Sequence, residues 1–249
     1  MPCIFVKYLR VIATIIEQYR PRSKKMSYSI RPNSANFLMG ISKIEQLESW
    51  LDSHPEAVGI CFVGRSNVGK SSIINSMFGN KTARVSKTPG RTREINIFNF
   101  QLNLNNKEFS HPEIFMIDLP GYGFAEVSKE MSKNWNQLMG SYFMKISPHF
   151  MIVNIQDSRH PDQASDREFY KFVSTVGNEV ILLFNKIDKL KTQKERAELQ
   201  KLIPGLSKAY KWIRQMYFVS AETKQGMEPV NEVVINYILQ QLEFVKSKN

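Results

Sequence analysis

The run Gly64-Arg65-Ser66-Asn67-Val68-Gly69-Lys70-Ser71-Ser72 fits the spacing G-x-x-x-x-G-K-[ST]. That spacing suits one task, which is to hold the phosphates of a nucleotide. Glycine permits a tight bend, so that successive backbone N–H groups point inward around phosphate oxygens. Lys70 supplies a point charge for the β- and γ-phosphates, and Ser71 supplies a hydroxyl for Mg²⁺. A helix starting at Lys70 adds the positive end of its dipole.

Three further sets follow in chain order. Asp118-Leu119-Pro120-Gly121 ends an apolar run. An aspartate there can hold Mg²⁺ through water, while Gly121 lets its N–H approach a γ-phosphate. Asn185-Lys186-Ile187-Asp188 closes another apolar run. A carboxylate at Asp188 accepts from both guanine N1–H and the exocyclic amine, a donor pair that adenine lacks on that edge. A kinase using ATP is therefore disfavoured. Asn185 is expected to brace neighbouring loops, the Lys186 stem to cover the base, and Ser220-Ala221 to bring a backbone N–H to guanine O6. Between the phosphate loop and the next strand, the polar stretch 82–94 offers Thr82, Thr88 and Thr92 as candidates for a threonine on Mg²⁺. Spacing alone does not choose among them.

The elements that must position these residues are short apolar runs alternating with helical patterns. Strands are expected at 58–64, 94–104, 113–118, 150–157, 179–186 and 216–220. Helices are expected at 70–78, 130–146, 162–176, 192–202, a second piece after Pro204-Gly205, and 227–245. The period-two alternation of 94–104 and the short turn at Asn105-Asn106-Lys107 predict antiparallel pairing with 113–118. The fold class is α/β: a mostly parallel six-stranded sheet with one antiparallel edge strand and helices on both faces.

Bulk properties agree with one such domain. The 249 residues are 42% hydrophobic and carry a net charge of +11. The two cysteines, Cys3 and Cys61, and four scattered histidines lack metal-site spacing, and a reducing, cytoplasmic setting is the simple reading. Residues 1–31 hold seven basic side chains against one acid, Glu17. The apolar run 4–16 is interrupted by Lys7 and Arg10 and is too short to span a bilayer. Residues 1–29 are expected to be a poorly ordered basic extension, with Met26 a second plausible start, and 30–249 the domain. A basic body favours polyanions such as RNA.

The stretches GRSNVGKSSIINS, SKTPGRTREINIF, DLPGYGFAEVSKEMSKNW, DSRHP, NKID and SAETKQG together resemble the EngB family (also called YihA or YsxC) of bacterial GTP-binding proteins. ANFLMGISKIEQL is similar to the family's usual start. The resemblance covers about residues 30–245. It implies a compact GTPase domain of the P-loop class using Mg²⁺, a role in large ribosomal subunit assembly, and a link to cell division and septation. It puts the magnesium threonine at Thr92, with Gly90 nearby in the nucleotide site. This chain departs in its first 25–29 residues and in having Asn185 where many members carry threonine. Tyr122 stands where a water-positioning glutamine is usual, so slow intrinsic hydrolysis is expected. Relatives place a potassium-binding asparagine at Asn67, which makes K⁺ a candidate for the missing charge. The partner implied is the large subunit or its precursor, bound by a monomer with no integral membrane segment. Lys129, Lys133, Arg91 and Arg93 are candidates for rRNA, and Arg159 and His160 for support of the switch or partner surface. The rival reading is a nucleotide-gated scaffold for division or membrane proteins, with the basic head as anchor.

Overall fold

The computed structural model describes residues 26–79, 82–83, 94–123 and 129–248, with only the backbone of 129–135. Strands β1 (Tyr28–Ile30) and β2 (Asn36–Ile41), helix α1 (Ile44–Ser53), β3 (Val58–Gly64) and α2 (Lys70–Phe78) come first. Next are β4 (Ile95–Phe100), β5 (Leu102–Leu104), β6 (Lys107–Glu108), β7 (Ile114–Asp118) and α3 (Lys129–Lys145). The C-terminal part holds β8 (Phe150–Asp157), α4 (Ala164–Val173), β9 (Val180–Asn185) and a 3₁₀ turn (Ile187–Lys189). It closes with α5 (Gln193–Ala209), β10 (Ile213–Phe218) and α6 (Met227–Lys248).

Every residue of β3, β7, β8 and β9 is buried. Such strands have no wet face, so both sides of the sheet must be covered. Leu47 and Trp50 of α1, Tyr142 and Phe143 of α3, Phe169 of α4 and Leu199 of α5 cover one side. Ile73, Ile74 and Met77 of α2, with Val230, Val234 and Ile238 of α6, cover the other. Cys61 lies inside the first layer, fully buried, and burial pushes its thiol up to about 12.

The main sheet runs β10-β9-β8-β3-β7-β4-β2, seven strands where six were expected. The first five are mutually parallel, β4 is antiparallel to β7, and β2 is antiparallel to β4. The antiparallel strand is thus real but is not the edge; β2 lies outside it. Asn36, Phe37, Leu38 and Met39 are all exposed, so β2 carries no period-two signature. The expected strand 94–104 divides at Gln101, whose carbonyl accepts from Arg31 N–H at 2.9 Å and whose N–H donates to Ser34 Oγ at 3.0 Å. Beyond it, β5 joins β1 and β6 in a small second sheet. The border expected at residue 30 runs through β1, where Tyr28 pairs with Leu104.

One helix, α5, replaces the two expected pieces, with Pro204 inside it. Pro204 gives no N–H to the fourth carbonyl before it. The helix is nonetheless closed at its start by a capping box, Thr192 Oγ1 accepting from Glu195 N–H at 3.2 Å and Glu195 Oε2 from Thr192 N–H at 2.8 Å. Parallel β3, β7, β8 and β9 end on one edge of the sheet, and their C-terminal ends carry the residues singled out above.

Candidate nucleotide site

The phosphate loop leaves β3 at Gly64 and enters α2 at Lys70. Gly69 has φ +95°, and a Cβ there would lie 2.4 Å from Asn185 Nδ2. Both its backbone conformation and the closeness of a second loop require glycine. Lys70 and Asp118, at 8% and 4% exposure, form a buried ion pair. Ser71 and Ser72 occupy the first turn of α2. A hydroxyl at Ser71 and a carboxylate at Asp118 are hard oxygen donors of the kind Mg²⁺ takes. Among the described residues no group of three or more His, Cys, Asp or Glu could hold a metal alone. Of the threonines, Thr82 sits past the far end of α2, donating to Gly79 O at 3.1 Å. Thr88, Gly90, Arg91, Thr92 and Arg93 lie outside the described residues, as do the side chains of Lys129 and Lys133.

The base-reading side is joined to the phosphate side by Asn185. Its Nδ2 donates to Val68 O at 2.9 Å and its Oδ1 accepts from Ala221 N–H at 3.1 Å. Ser220 N–H meanwhile donates to Gln225 O at 2.9 Å. In this structure the Ala221 and Ser220 N–H groups thus each have a partner within the protein. The Ser220 hydroxyl has a use that sequence reasoning missed: it donates to Asp188 Oδ1 at 2.6 Å. Burial pushes the Asp188 carboxyl up, but the Ser220 hydroxyl and the Lys189 ammonium outweigh it and hold the group below its ordinary value. The Lys186 head does not stay on the base side. Its Nζ donates to Asn67 O in the phosphate loop and to Asp157 Oδ2 at 2.9 Å.

A family model described as 50S ribosome-binding GTPase matches residues 59–186. A probable GTP-binding protein EngB from Clostridium perfringens is 36% identical over 213 residues, 84% of this chain and 98% of that one. One from Laribacter hongkongensis is 38% identical over 188 residues, 75% of this chain and 80% of that one. The chain belongs to the EngB family of GTP-binding proteins. It is a GTPase. Solved structures agree on the fold. A probable GTP-binding protein EngB aligns with a TM-score of 0.51 at 24% identity, over 74% of this chain and all of that one. Aquifex aeolicus Era bound to GDP and AlF4⁻ aligns at 0.59 and 22%, over 72% of this chain and 56% of that one.

In this EngB-family chain Tyr122 is turned away from the phosphate side. It is 4% exposed, with its ring stacked on Phe169 at 4.7 Å between centroids. Its hydroxyl donates to Asp166 Oδ1 at 2.8 Å and accepts from Asn154 Nδ2 at 3.1 Å. Burial and the neighbouring Asp166 charge push the phenol well above its ordinary value. Its backbone is bridged to the phosphate loop, Tyr122 N–H donating to Gly64 O at 3.2 Å and Ser66 N–H to Tyr122 O at 3.3 Å. Arg65, chosen from the motif alone, reaches Asp166 Oδ2 at 3.0 Å and His160 O at 2.5 Å. Burial raises the Asp166 carboxyl despite Arg65 and Tyr122.

Arg159 closes on Asp157, with Nε and Nη2 at 2.9 and 2.6 Å from its two oxygens. Burial alone would raise the Asp157 carboxyl; bonds from Arg159 and Lys186 prevail and hold it well below the carboxylate range. The DSRHP run thus braces the phosphate loop twice, through Arg65 and through Lys186. Only DSRHP itself marked this segment in the sequence; Asp166 carried no mark.

Proposed function

We propose that this chain is a slow, Mg²⁺-dependent GTPase switch, acting as a cytoplasmic monomer in assembly of the large ribosomal subunit and linked to normal cell division and septation. The observation that carries the reading is Asn185, which ties the phosphate loop at Val68 to the Ser220-Ala221 turn in an EngB-family chain. One side chain thereby couples base reading to phosphate binding.

In this reading the backbone of Arg65, Ser66, Asn67, Val68 and Gly69 cradles the phosphates, and Lys70 moves its charge from Asp118 to the β/γ bridge. Ser71, Thr92 and Asp118 would hold Mg²⁺, which would supply positive charge against the developing phosphate charge. Gly121 N–H meets the γ-phosphate, and Asp188 accepts from guanine. Tyr122, with its hydroxyl bound to Asp166 and Asn154, orients no water, which supports a slow intrinsic rate. Asn67 would hold K⁺, which would supply the remaining positive charge.

The net charge of +11 suits an rRNA partner. Era, a fold neighbour at 22% identity and a TM-score of 0.59 over 73% of this chain and 57% of that one, was solved with MgGDPNP and part of 16S ribosomal RNA. No helix among the described residues is long and apolar enough to cross a membrane. The switch does not need the residues before Met26. The test is co-sedimentation with large-subunit precursors in GTP, GDP and ATP at two salt concentrations. GTP-specific, salt-sensitive binding is expected, also for a chain starting at Met26. Equal binding in all three nucleotides would sink the switch, and vesicle binding by the full chain alone would favour the scaffold.

A further inference from the structure

Asp166 is fully buried at the third position of α4, yet the GTP site described above makes no use of it. One of its oxygens does ordinary helix work: Oδ2 accepts from Gln163 N–H at 2.9 Å, closing the capping box. The other faces across the molecule, where Oδ1 takes the Tyr122 hydroxyl at 2.8 Å. Arg65 Nε lies between them, 3.1 and 3.0 Å from Oδ1 and Oδ2. One buried carboxylate therefore grips the first variable residue of the phosphate loop and the residue directly after Gly121.

The consequence for Gly121 is geometric. Tyr122 is held by two backbone bonds to Gly64 and Ser66, by stacking on Phe169, and by its hydroxyl. Gly121 itself packs so close to the loop that a Cβ would sit 3.1 Å from Ser66 Oγ. A glycine N–H that must meet a γ-phosphate within a few tenths of an ångström cannot be placed by glycine alone, which has the widest backbone freedom. Its neighbour must be fixed, and misplacement by about 1 Å can cost on the order of 10²-fold in rate.

We propose that Asp166 is a positioning residue for GTP hydrolysis, holding Tyr122 and Arg65 together so that Gly121 is registered against the phosphate loop. This rests on the reading in which Gly121 meets the γ-phosphate. The position also explains why a tyrosine serves at 122. Its ring and hydroxyl anchor the turn from behind, a role that an exposed water-positioning side chain could not fill.

Asp166→Asn puts an amide where two donors converge, and Tyr122→Phe removes one hydroxyl while keeping the stacked ring. Single-turnover GTP hydrolysis, GDP affinity and thermal unfolding are measured for both variants and the double variant. Asp166→Asn should lower kcat on the order of 10²-fold while GDP affinity stays within about twofold, because GDP has no γ-phosphate to register. Tyr122→Phe should lower kcat by about five- to tenfold, the scale of one hydrogen bond, and the double variant should be little worse than Asp166→Asn alone. Folded variants with wild-type kcat would overturn the proposal. So would GDP affinity falling in step with kcat, because that marks general support of the fold. If Asp166→Asn does not fold, Tyr122→Phe decides by the same two readouts. Wild-type protein that binds GTP no better than GDP and turns over none would overturn the underlying site reading instead.

Discussion

The two halves of the nucleotide site are held by different kinds of interaction. On the base side, Asn185 makes neutral amide bonds to Val68 and Ala221, and Asp188 is aimed by the Ser220 hydroxyl, with the exposed Lys189 ammonium at 3.1 Å as a charged neighbour. On the phosphate side, charged groups are matched with each other: Lys70 with Asp118, Arg65 with Asp166, Lys186 with Asp157. Neutral braces are complete without a ligand, so the base side is preorganised. Buried charges tolerate no partnerless state, so at Lys70 and Asp118 a ligand must exchange partners with the protein. Base choice is thus built in, while on the phosphate side one ion pair, Lys70–Asp118, is exchanged and the other two hold the loop in place.

Lys70→Ala breaks the contrast most severely. Hydrolysis should drop at least about 10²-fold, and the abandoned Asp118 should cost on the order of 3–5 kcal/mol in urea unfolding. Intact stability would mean that the pair is not as buried as its exposure indicates. Asp188→Asn attacks the other half. GTP affinity should fall on the order of 10²-fold, and xanthosine triphosphate, with a carbonyl in place of the amine, should gain. Stability should barely move, in contrast to Lys70→Ala.

A pH series sharpens the comparison further. The Asp157 carboxyl is held well below its ordinary value, so its stabilisation is complete above about pH 4, the value in the unfolded chain, and disappears as pH falls below it. Asp157→Asn should flatten that acid limb in a plot of melting temperature against pH; an unchanged limb would exclude Asp157 as its source. The smallest effect belongs to Asn67. Hydrolysis should run several-fold faster in KCl than in NaCl, and Asn67→Ala should erase the difference; equal rates in the wild type would remove K⁺ from the site.

Legibility in the sequence follows the same physics. VGICFVG and EVILLFN read as strands because central parallel strands are buried on both faces, and the phosphate loop reads because its backbone path demands glycines at fixed places. Edges were harder. NFLMGI pairs on one side only and exposes four residues in a row, and β10 begins at Ile213 with exposed Arg214 and Gln215, three residues earlier than its apolar run suggests. Pro204 marks a break in the sequence, yet α5 runs through it. The Arg65–Asp166 pair joins residues far apart in the chain, with no spacing to betray it. Asn185, Lys70 and Asp118 were found from motifs, but not that Lys186 would clamp Asn67 or that Ala221 N–H would already be engaged.

Cys61 gives the molecule an internal clock. A thiol pushed up to about 12 in the middle of β3 is inert to alkylation while that strand stays in place. Its labelling rate therefore counts openings of the strand that delivers the phosphate loop. Any nucleotide that binds the folded state should slow that count in proportion to its saturation. The chain can thus report occupancy of its own site through a sulfur that never touches the ligand.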